Sequence, residues 1–384
     1  MHIKYQYTYF ISSFEIEEKQ YDKYILKLLK NKNLKLKVYN NEKNKELNQY
    51  FSKEIKNIMF KTMEMSKNKQ KELEAIKPTE YKKILKIPSV SFEYIIENET
   101  QAKMGQEDGT FFKIDKIELI CFKTGICFIL IKTFLEDNLS IQNILDFNYK
   151  FKQSNLEQEI EKEQINIQTN EYKEKIEITQ LLQELTGKNK QDNIYTYSYL
   201  CVDGEDWNKQ KEFELLQTEV NKLANVLPSN SSEAIRLELI EKSNYAKIGV
   251  GKTGTALITN SLEAYNCAKL PFEYENQYLY TLILVLYEKL IIERINKKIK
   301  TNQKIKEENK IFVKQITKEE IGIKLYEAWQ KSIGIREKFL QMFKKYNEII
   351  MKKNKRNTII IWGIIGACII TNIINIIILL NVLE

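Results

Sequence analysis

The residues of this chain that most resemble a phosphate-binding group lie in one short stretch. Residues 246–253 read Ala-Lys-Ile-Gly-Val-Gly-Lys-Thr, which ends like the glycine-rich loop that holds the phosphates of a nucleotide. An alanine stands where that pattern has its first glycine, and residues 254–259 have the composition of a strand where the loop requires a helix. The favoured interpretation is a hairpin turning at Gly251 to Gly254 with Lys252 exposed. Nucleotide binding by this motif is the alternative.

An acidic run, Asp203-Gly204-Glu205-Asp206, is the second candidate for chemistry. Three carboxylates close together could hold a divalent cation. The favoured interpretation is a polar turn that opens a helix over residues 207–227, because acids are favourable near a helix N-terminus.

Catalytic groups of the common kinds are missing from the composition. The sole histidine is His2, and the five cysteines show no paired spacing. Zinc sites, Ser-His-Asp triads and Cys-His pairs are therefore excluded, and we expect the chain not to be an enzyme. The formal charge is +8, yet only four of the 60 basic residues are arginine. We expect no nucleic-acid partner, since nucleic-acid sites favour clustered arginine.

The first two-thirds of the chain contain clear strand patterns. Residues 3–16 and 194–202 are aromatic and β-branched, which is typical of strands. Residues 111–134 form two apolar arms around Lys123-Thr124-Gly125, a pattern that predicts a hairpin whose second arm lies in the middle of a sheet. A membrane crossing over residues 117–134 is the alternative, which three charged residues disfavour.

Long helices are predicted after residue 274. Residues 278–295 are apolar nearly all round and suit a helix buried in a bundle, with a second membrane segment as the alternative. The last helix starts near Ile311 and shows a three-four spacing typical of a coiled-coil seam. We expect this stalk to continue unbroken to residue 358 and to join subunits through Tyr326, Trp329, Ile333, Leu340 and Phe343.

Residues 358–380 form an almost unbroken apolar run. At about 1.5 Å per residue, a helix of this length crosses a hydrocarbon core of about 30 Å. Six basic residues lie just before it, within residues 344–356. The positive-inside bias then places the preceding chain in the cytoplasm. The sequence predicts a single-pass protein of the cell (inner) membrane that contacts lipid directly.

The predicted membrane helix carries a stripe of small and polar residues. Gly363, Ala367, Thr371 and Asn375 recur at every fourth position, and such spacing lets helices approach closely. We therefore expect copies of the chain to associate, with Asn372 and Asn375 facing the axis of a narrow pore. The alternative is a monomeric tail anchor.

The second half of the chain resembles the CorA family of divalent-cation transporters. The resemblance rests on Leu325-Tyr326 through Arg336-Glu337 to Tyr346, and on Lys355-Arg356-Asn357-Thr358 at the membrane entrance. It implies a cytoplasmic α/β domain, an antiparallel helix pair and a stalk that enters a ring-shaped, usually pentameric, assembly. It also implies a divalent cation such as magnesium, with Arg356 and Asn357 at the membrane entrance.

The chain departs from the family in two respects. The Gly-Met-Asn signature and the second membrane helix are absent. CorA-like proteins also occur as membrane effectors beside type III CRISPR systems, where a nucleotide signal acts on the cytoplasmic domain. The resemblance allows that role without the selectivity signature.

These observations combine into one predicted architecture. Its fold class is an α+β cytoplasmic domain with a mixed sheet over residues 1–270, a helical hairpin and stalk over 271–357, and one transmembrane helix over 358–383. The predicted function is a homo-oligomer whose cytoplasmic domain senses a small-molecule or nucleotide ligand and gates a membrane pore or membrane-perturbing bundle. The alternative is a non-conducting, tail-anchored scaffold that tethers a partner-binding domain to the membrane.

Overall fold

The computed structural model describes residues 3–75, 78–96, 101–104, 110–136, 140–154, 165–167, 176–187, 192–203, 210–233, 235, 237–243, 246–300, 315–342, 344, 345, 348 and 351. The chain divides into two compact units. One is Met1–Glu288 with Lys310–Ile333, and the other is Lys289–Asn309 with Gly334–Glu384. The first unit contains the sheet.

The sheet is built around its first strand. Strand β1 (Ile3–Glu15) lies antiparallel between β6 (Ile126–Leu135) and β9 (Asp192–Val202), so that Phe10 pairs with Ile131 on one side and Thr196 on the other. The aromatic and β-branched residues of these segments favour the extended backbone. The strands predicted at residues 3–16 and 194–202 are confirmed.

Twelve strands form this sheet in the part of the chain that the structure describes. Its main path runs β10-β11-β12-β9-β1-β6-β5-β4-β7-β8, and β2 and β3 extend from β5 as a branch. Because β9 and β12 pair in parallel and the other pairs are antiparallel, the sheet is mixed. The remaining strands are β2 (Leu34–Lys37), β3 (Ser89–Tyr94), β4 (Gln101–Met104), β5 (Thr110–Phe122), β7 (Ile165–Ile167), β8 (Ile176–Glu177), β10 (Glu238–Ser243), β11 (Ala246–Val250) and β12 (Gly254–Asn260).

Both hairpins predicted from the sequence are confirmed. Strands β5 and β6 pair around Gly125, and β6 lies between β1 and β5 as its apolar composition predicted. Strands β11 and β12 pair around a turn in which Gly251 N–H donates to the Gly254 carbonyl at 2.9 Å. A Cβ atom on Gly251 would lie 2.3 Å from the Ala224 carbonyl oxygen, so this turn requires glycine for its close backbone approach.

Helices cover both faces of the sheet. Apolar side chains from α1, α5, α6 and α7 pack on one face together with Phe10 and Phe14 of β1. On the opposite face, Tyr197 stacks on Tyr274 at 4.0 Å and Phe122 stacks on Tyr287 at the same distance. The α-helices are α1 (Tyr21–Lys30), α2 (Lys45–Tyr50), α3 (Lys53–Met59), α4 (Lys67–Glu74), α5 (Ile141–Ser154), α6 (Ile178–Thr186), α7 (Gln210–Asn225), α8 (Ala264–Ala268), α9 (Leu270–Glu273), α10 (Leu279–Lys300) and α11 (Glu320–Ser332). Shorter helical turns are Lys61–Glu64, Pro78–Lys86 and the π-turn Tyr274–Tyr278.

The predicted fold class is wrong beyond the sheet domain. The structure is a mixed sheet with helices, and none of its described helices is both long and apolar enough to cross a membrane. The predicted membrane segment, residues 358–383, lies outside the described residues. The predicted unbroken stalk is also wrong, because α11 ends at Ser332 and Gly334 has a φ of +72°. A glycine in this left-handed conformation commonly ends a helix, and helical backbone resumes over residues 335–342.

Helix α11 is held against the sheet by Trp329. Its side chain is fully buried, and its Nε1 donates to Thr255 Oγ1 of β12 at 2.8 Å. The same hydroxyl lies 2.9 Å from the Tyr195 hydroxyl. Thr255 therefore contacts two buried aromatic polar groups at once, although the Tyr195 hydroxyl also reaches the carbonyls of Gly251 and Gly254.

We expect Thr255→Val to lower the free energy of unfolding by about 1–3 kcal/mol, because the isosteric side chain leaves Trp329 Nε1 and the Tyr195 hydroxyl without this partner. Urea titration at neutral pH measures the change. Thr255→Ser keeps the hydroxyl and should retain more stability than the valine variant. Equal losses in both variants would contradict the role assigned to the hydroxyl.

Candidate ligand site

The most unusual group in the sheet is the buried carboxylate of Glu118. This residue of β5 is only 1% exposed, and a lone charge at that depth would be strongly unfavourable. Lys37 Nζ lies 3.2 and 3.1 Å from its two oxygens, and Lys116 Nζ lies 3.1 Å from one of them. The hydroxyls of Tyr280 and Tyr39 donate to it at 2.9 and 3.3 Å. These contacts bring β2, β5 and α10 together around one negative charge.

The environment keeps Glu118 ionised. Burial by itself would raise the pKa of Glu118, but the nearby Lys37 and Lys116 and the hydrogen bonds more than offset it and lower the pKa to about 2. Burial and the adjacent Glu118 raise the pKa of Tyr280 well above its ordinary value. Tyr280 is therefore protonated at neutral pH and acts as a donor.

A second carboxylate, Glu275, extends this network. Lys132 Nζ lies 2.9 Å from it, Lys116 lies 3.9 Å away, and the Tyr9 hydroxyl donates to it. Burial opposes ionisation here too, but Lys132 and Lys116 hold the pKa of Glu275 below its usual range. Lys116 thus bridges the two carboxylates, and the network runs across the face of β5 and β6.

A pocket of about 620 Å³ lies beside this network, at strand β2. Its volume is in the range of cavities that bind small molecules. Its lining combines apolar and charged side chains. The lining residues are Leu29, Leu34, Lys35, Leu36, Lys37, Val38, Lys43, Leu73, Glu74, Tyr81, Phe92 and Glu93.

Strand β2 is the open edge of the branch. Within the described residues it pairs with β3 and with no other strand. Ile95 N–H donates to the Asn33 carbonyl at 2.8 Å, and Leu34 lies opposite Tyr94. Because backbone groups alternate along a strand, Leu36 directs its N–H and C=O away from β3, to the open edge. The edge therefore adds backbone donors and acceptors to those of the side chains.

The lysines of the pocket differ in how they are paired. Lys37 contacts Glu118, and Lys43 lies 3.7 Å from Glu74 in an exposed pair. Lys35 lies opposite Glu93 in the strand register, but it makes no ion pair with any group in the described part of the chain. The lining contains three lysines and two carboxylates, and Glu118, which is not in the lining, neutralises Lys37. Because Lys37 and Lys43 each have an ion-pair partner, Lys35 is the lysine of the pocket best placed to pair with a bound anion.

The predicted stalk residues have different surroundings. Trp329 is buried inside the chain, Ile333 is also buried, and the Tyr326 hydroxyl donates to Glu288 at 2.7 Å. Leu340 is 58% exposed. The first three side chains therefore make contacts within the chain, and the subunit contacts that the seam predicts stay a prediction.

The other predicted site residues lie outside the described residues. They are Phe343, Arg356, Asn357, Gly363, Ala367, Thr371, Asn372 and Asn375. Of the acidic run at 203–206, the structure describes Asp203, whose carboxylate lies 3.2 Å from Lys4. The described residues include no group of three His, Cys, Asp or Glu side chains placed to hold a metal ion.

Sequence patterns did not reveal the residues of this site. In the sequence, Glu118 and Lys132 are recognisable only as two of the three charged residues that disfavour a membrane crossing over residues 117–134. The same observation contained a usable signal, because isolated charges within strongly apolar strands require buried partners. Those partners, such as Lys37 and Tyr280, are too distant in sequence for any local pattern to reveal.

We expect the ionisation of Glu118 to stabilise the fold by about 3 kcal/mol above pH 4.5, since its pKa is about 2 in the folded chain and 4.5 ordinarily. A depressed folded pKa means that this stability is lost as the pH falls from 4.5 toward 2. Urea titrations at pH 5 and pH 3 measure the loss, which Glu118→Gln should reduce relative to wild type. The exposed Glu72→Gln variant is the control and should keep the wild-type difference. An unaltered difference in Glu118→Gln would contradict the assignment.

The chain was also compared with known proteins. No protein-family model matches it, and no curated protein does so either. The resemblance to CorA transporters therefore stays a prediction from the sequence. The geometry of the β2 pocket and the Glu118 network is the basis for a functional argument.

Proposed function

We propose that the sheet domain is a sensor that binds a small organic anion in the β2 pocket. The observation that carries this proposal is a cavity of about 620 Å³ whose lining brings Lys35, Lys37 and Lys43 together with apolar side chains. The proposal retains the ligand-sensing part of the function predicted from the sequence and concerns the sheet-containing unit alone.

The lining fits a ligand with two chemical parts. Leu34, Leu36 and Tyr81 offer an apolar surface to a ring or a short aliphatic group. Lys35 and Lys43 offer charge-assisted hydrogen bonds to a carboxylate or a phosphate. Nucleotides combine a flat ring with phosphates and are the first class to test. Glu74 and Glu93 also line the pocket. Their carboxylates repel ligands that are negatively charged along their whole length.

Lys37 connects the pocket to the interior. Its ammonium group contacts Glu118 at 3.1 Å and the Tyr280 hydroxyl at 2.8 Å. An anion bound in the pocket competes with Glu118 for this lysine, and Glu118 and Tyr280 must then rearrange. Since Tyr280 lies in α10, ligand binding alters the packing of that helix on the sheet. This is the sensing step.

We expect at least one nucleotide or other organic phosphate to bind and to raise the unfolding temperature of the protein in a thermal-shift screen. Lys35→Met should weaken binding by about tenfold or more, because it removes a charged contact. Isothermal titration measures both affinities. The matched control is Lys69→Met, which removes an exposed lysine of α4 that does not line the pocket.

Two results would refute the binding proposal. One is that no organic anion in the screen shifts the unfolding temperature. The other is that a ligand binds Lys35→Met as tightly as it binds wild type, which would place it elsewhere on the chain.

Transmission through Lys37 is tested separately, by hydrogen exchange. Ligand binding should change the exchange rate of amides in residues 279–288 of α10. Tyr280→Phe keeps the ring but loses the hydroxyl that contacts Lys37 and Glu118, so it should bind ligand while losing most of this change. If wild type binds ligand and α10 shows no change, the pocket binds but does not signal in this way.

A further inference from the structure

Cys121 of β5 and Cys127 of β6 lie directly opposite each other in the hairpin. Both side chains are fully buried and belong to the same apolar cluster on one face of the sheet. The two sulfurs are thiols and are not joined by a disulfide. The pair lies one residue pair away from the turn at Lys123 to Gly125, near the end of the hairpin.

The hydrogen bonds of the neighbouring strands define the type of this pair. Ile16 N–H donates to the Gly125 carbonyl at 2.8 Å, so Cys127, two residues further along β6, also directs its backbone groups to β1. Lys123 N–H donates to the Pro88 carbonyl at 2.8 Å, so Cys121 directs its backbone groups to β3. The two cysteines therefore form a non-hydrogen-bonded pair, the type in which opposite Cα atoms are about 4.5 Å apart.

This separation suits a disulfide, for which Cα atoms lie about 4.4–6.8 Å apart. We propose that Cys121 and Cys127 form a cross-strand disulfide when the protein meets a low-molecular-weight disulfide oxidant. One thiolate attacks the oxidant, forms a mixed disulfide and releases one small thiol. The second cysteine then attacks the sulfur of the first and releases the other small thiol. Two electrons and two protons pass to the oxidant, so the exchange balances.

The position of the pair near the end of the hairpin has a consequence for access and for packing. Because both side chains are fully buried, the oxidant can reach them only when this end opens locally, which sub-denaturing urea promotes. The same turn contacts α10, because the Thr124 hydroxyl accepts from Tyr287 at 3.3 Å and Phe122 stacks on Tyr287. A disulfide therefore fixes the end of the hairpin against which α10 packs, independently of the anion pocket.

Peptide mapping tests the proposal on the full chain. The protein is equilibrated with oxidised glutathione, with and without sub-denaturing urea to allow local opening, and remaining thiols are then alkylated. Trypsin cleaves after Lys116, Lys123 and Lys132, so the two cysteines fall on separate peptides, residues 117–123 and 124–132. We expect mass spectrometry to find these peptides joined, with the loss of two hydrogen atoms, and to find them separate after reduction.

Two variants make the result specific. Cys127→Ser should leave Cys121 able to form only a glutathione adduct. Cys201→Ser is the matched control, since Cys201 is equally buried but lies opposite Tyr5 in β1, and it should retain the linked peptides. If a variant fails to fold, the wild-type map still decides. Recovery of both wild-type peptides only as separate alkylated or glutathionylated species, or linkage to another cysteine, would overturn the proposal.

Discussion

The ion pairs around Glu118 are the interaction on which this face of the sheet depends. A buried carboxylate requires compensation, and Lys37, Lys116 and two tyrosine hydroxyls provide it. Because these partners come from β2 and from Tyr39 just after it, from β5 itself and from α10, the charge can be satisfied only when these elements are correctly placed. The network therefore specifies one arrangement of the edge strand and the helix relative to the sheet.

The β2 pocket shares Lys37 with this network. Most surface pockets could bind a ligand without any effect on the interior. Here Lys37 lines the pocket and also neutralises a carboxylate that is 1% exposed. In the proposed sensor, a ligand that attracts this lysine changes the balance of charge around Glu118. On that proposal, the buried carboxylate couples binding at an exposed edge to a change inside the fold.

The parts of the fold that local patterns encode could be predicted from the sequence. Strands β1, β5, β6 and β9 follow from their aromatic and β-branched residues, and the hairpin turns follow from glycines. The apolar spacing alone could not predict where the stalk helix ends, because the single glycine at position 334 interrupts the helix without interrupting that spacing. The Glu118 network joins residues more than 80 positions apart, as in the contact from Lys37, which no local pattern reveals. The pairing of Cys121 with Cys127 could have been predicted, since the two cysteines are six positions apart and flank the predicted turn.

The central position of β1 has a consequence for how the chain is made. This strand is synthesised before both of its partners, which are residues 126–135 and 192–202. At a typical synthesis rate, roughly 10–40 s pass before both neighbours exist. During that time a strand with a tyrosine-rich face has two unsatisfied edges, which favours pairing with other chains. A chain that ends before residue 192 should therefore be prone to aggregation, and chaperones that shield residues 3–15 should protect it during synthesis.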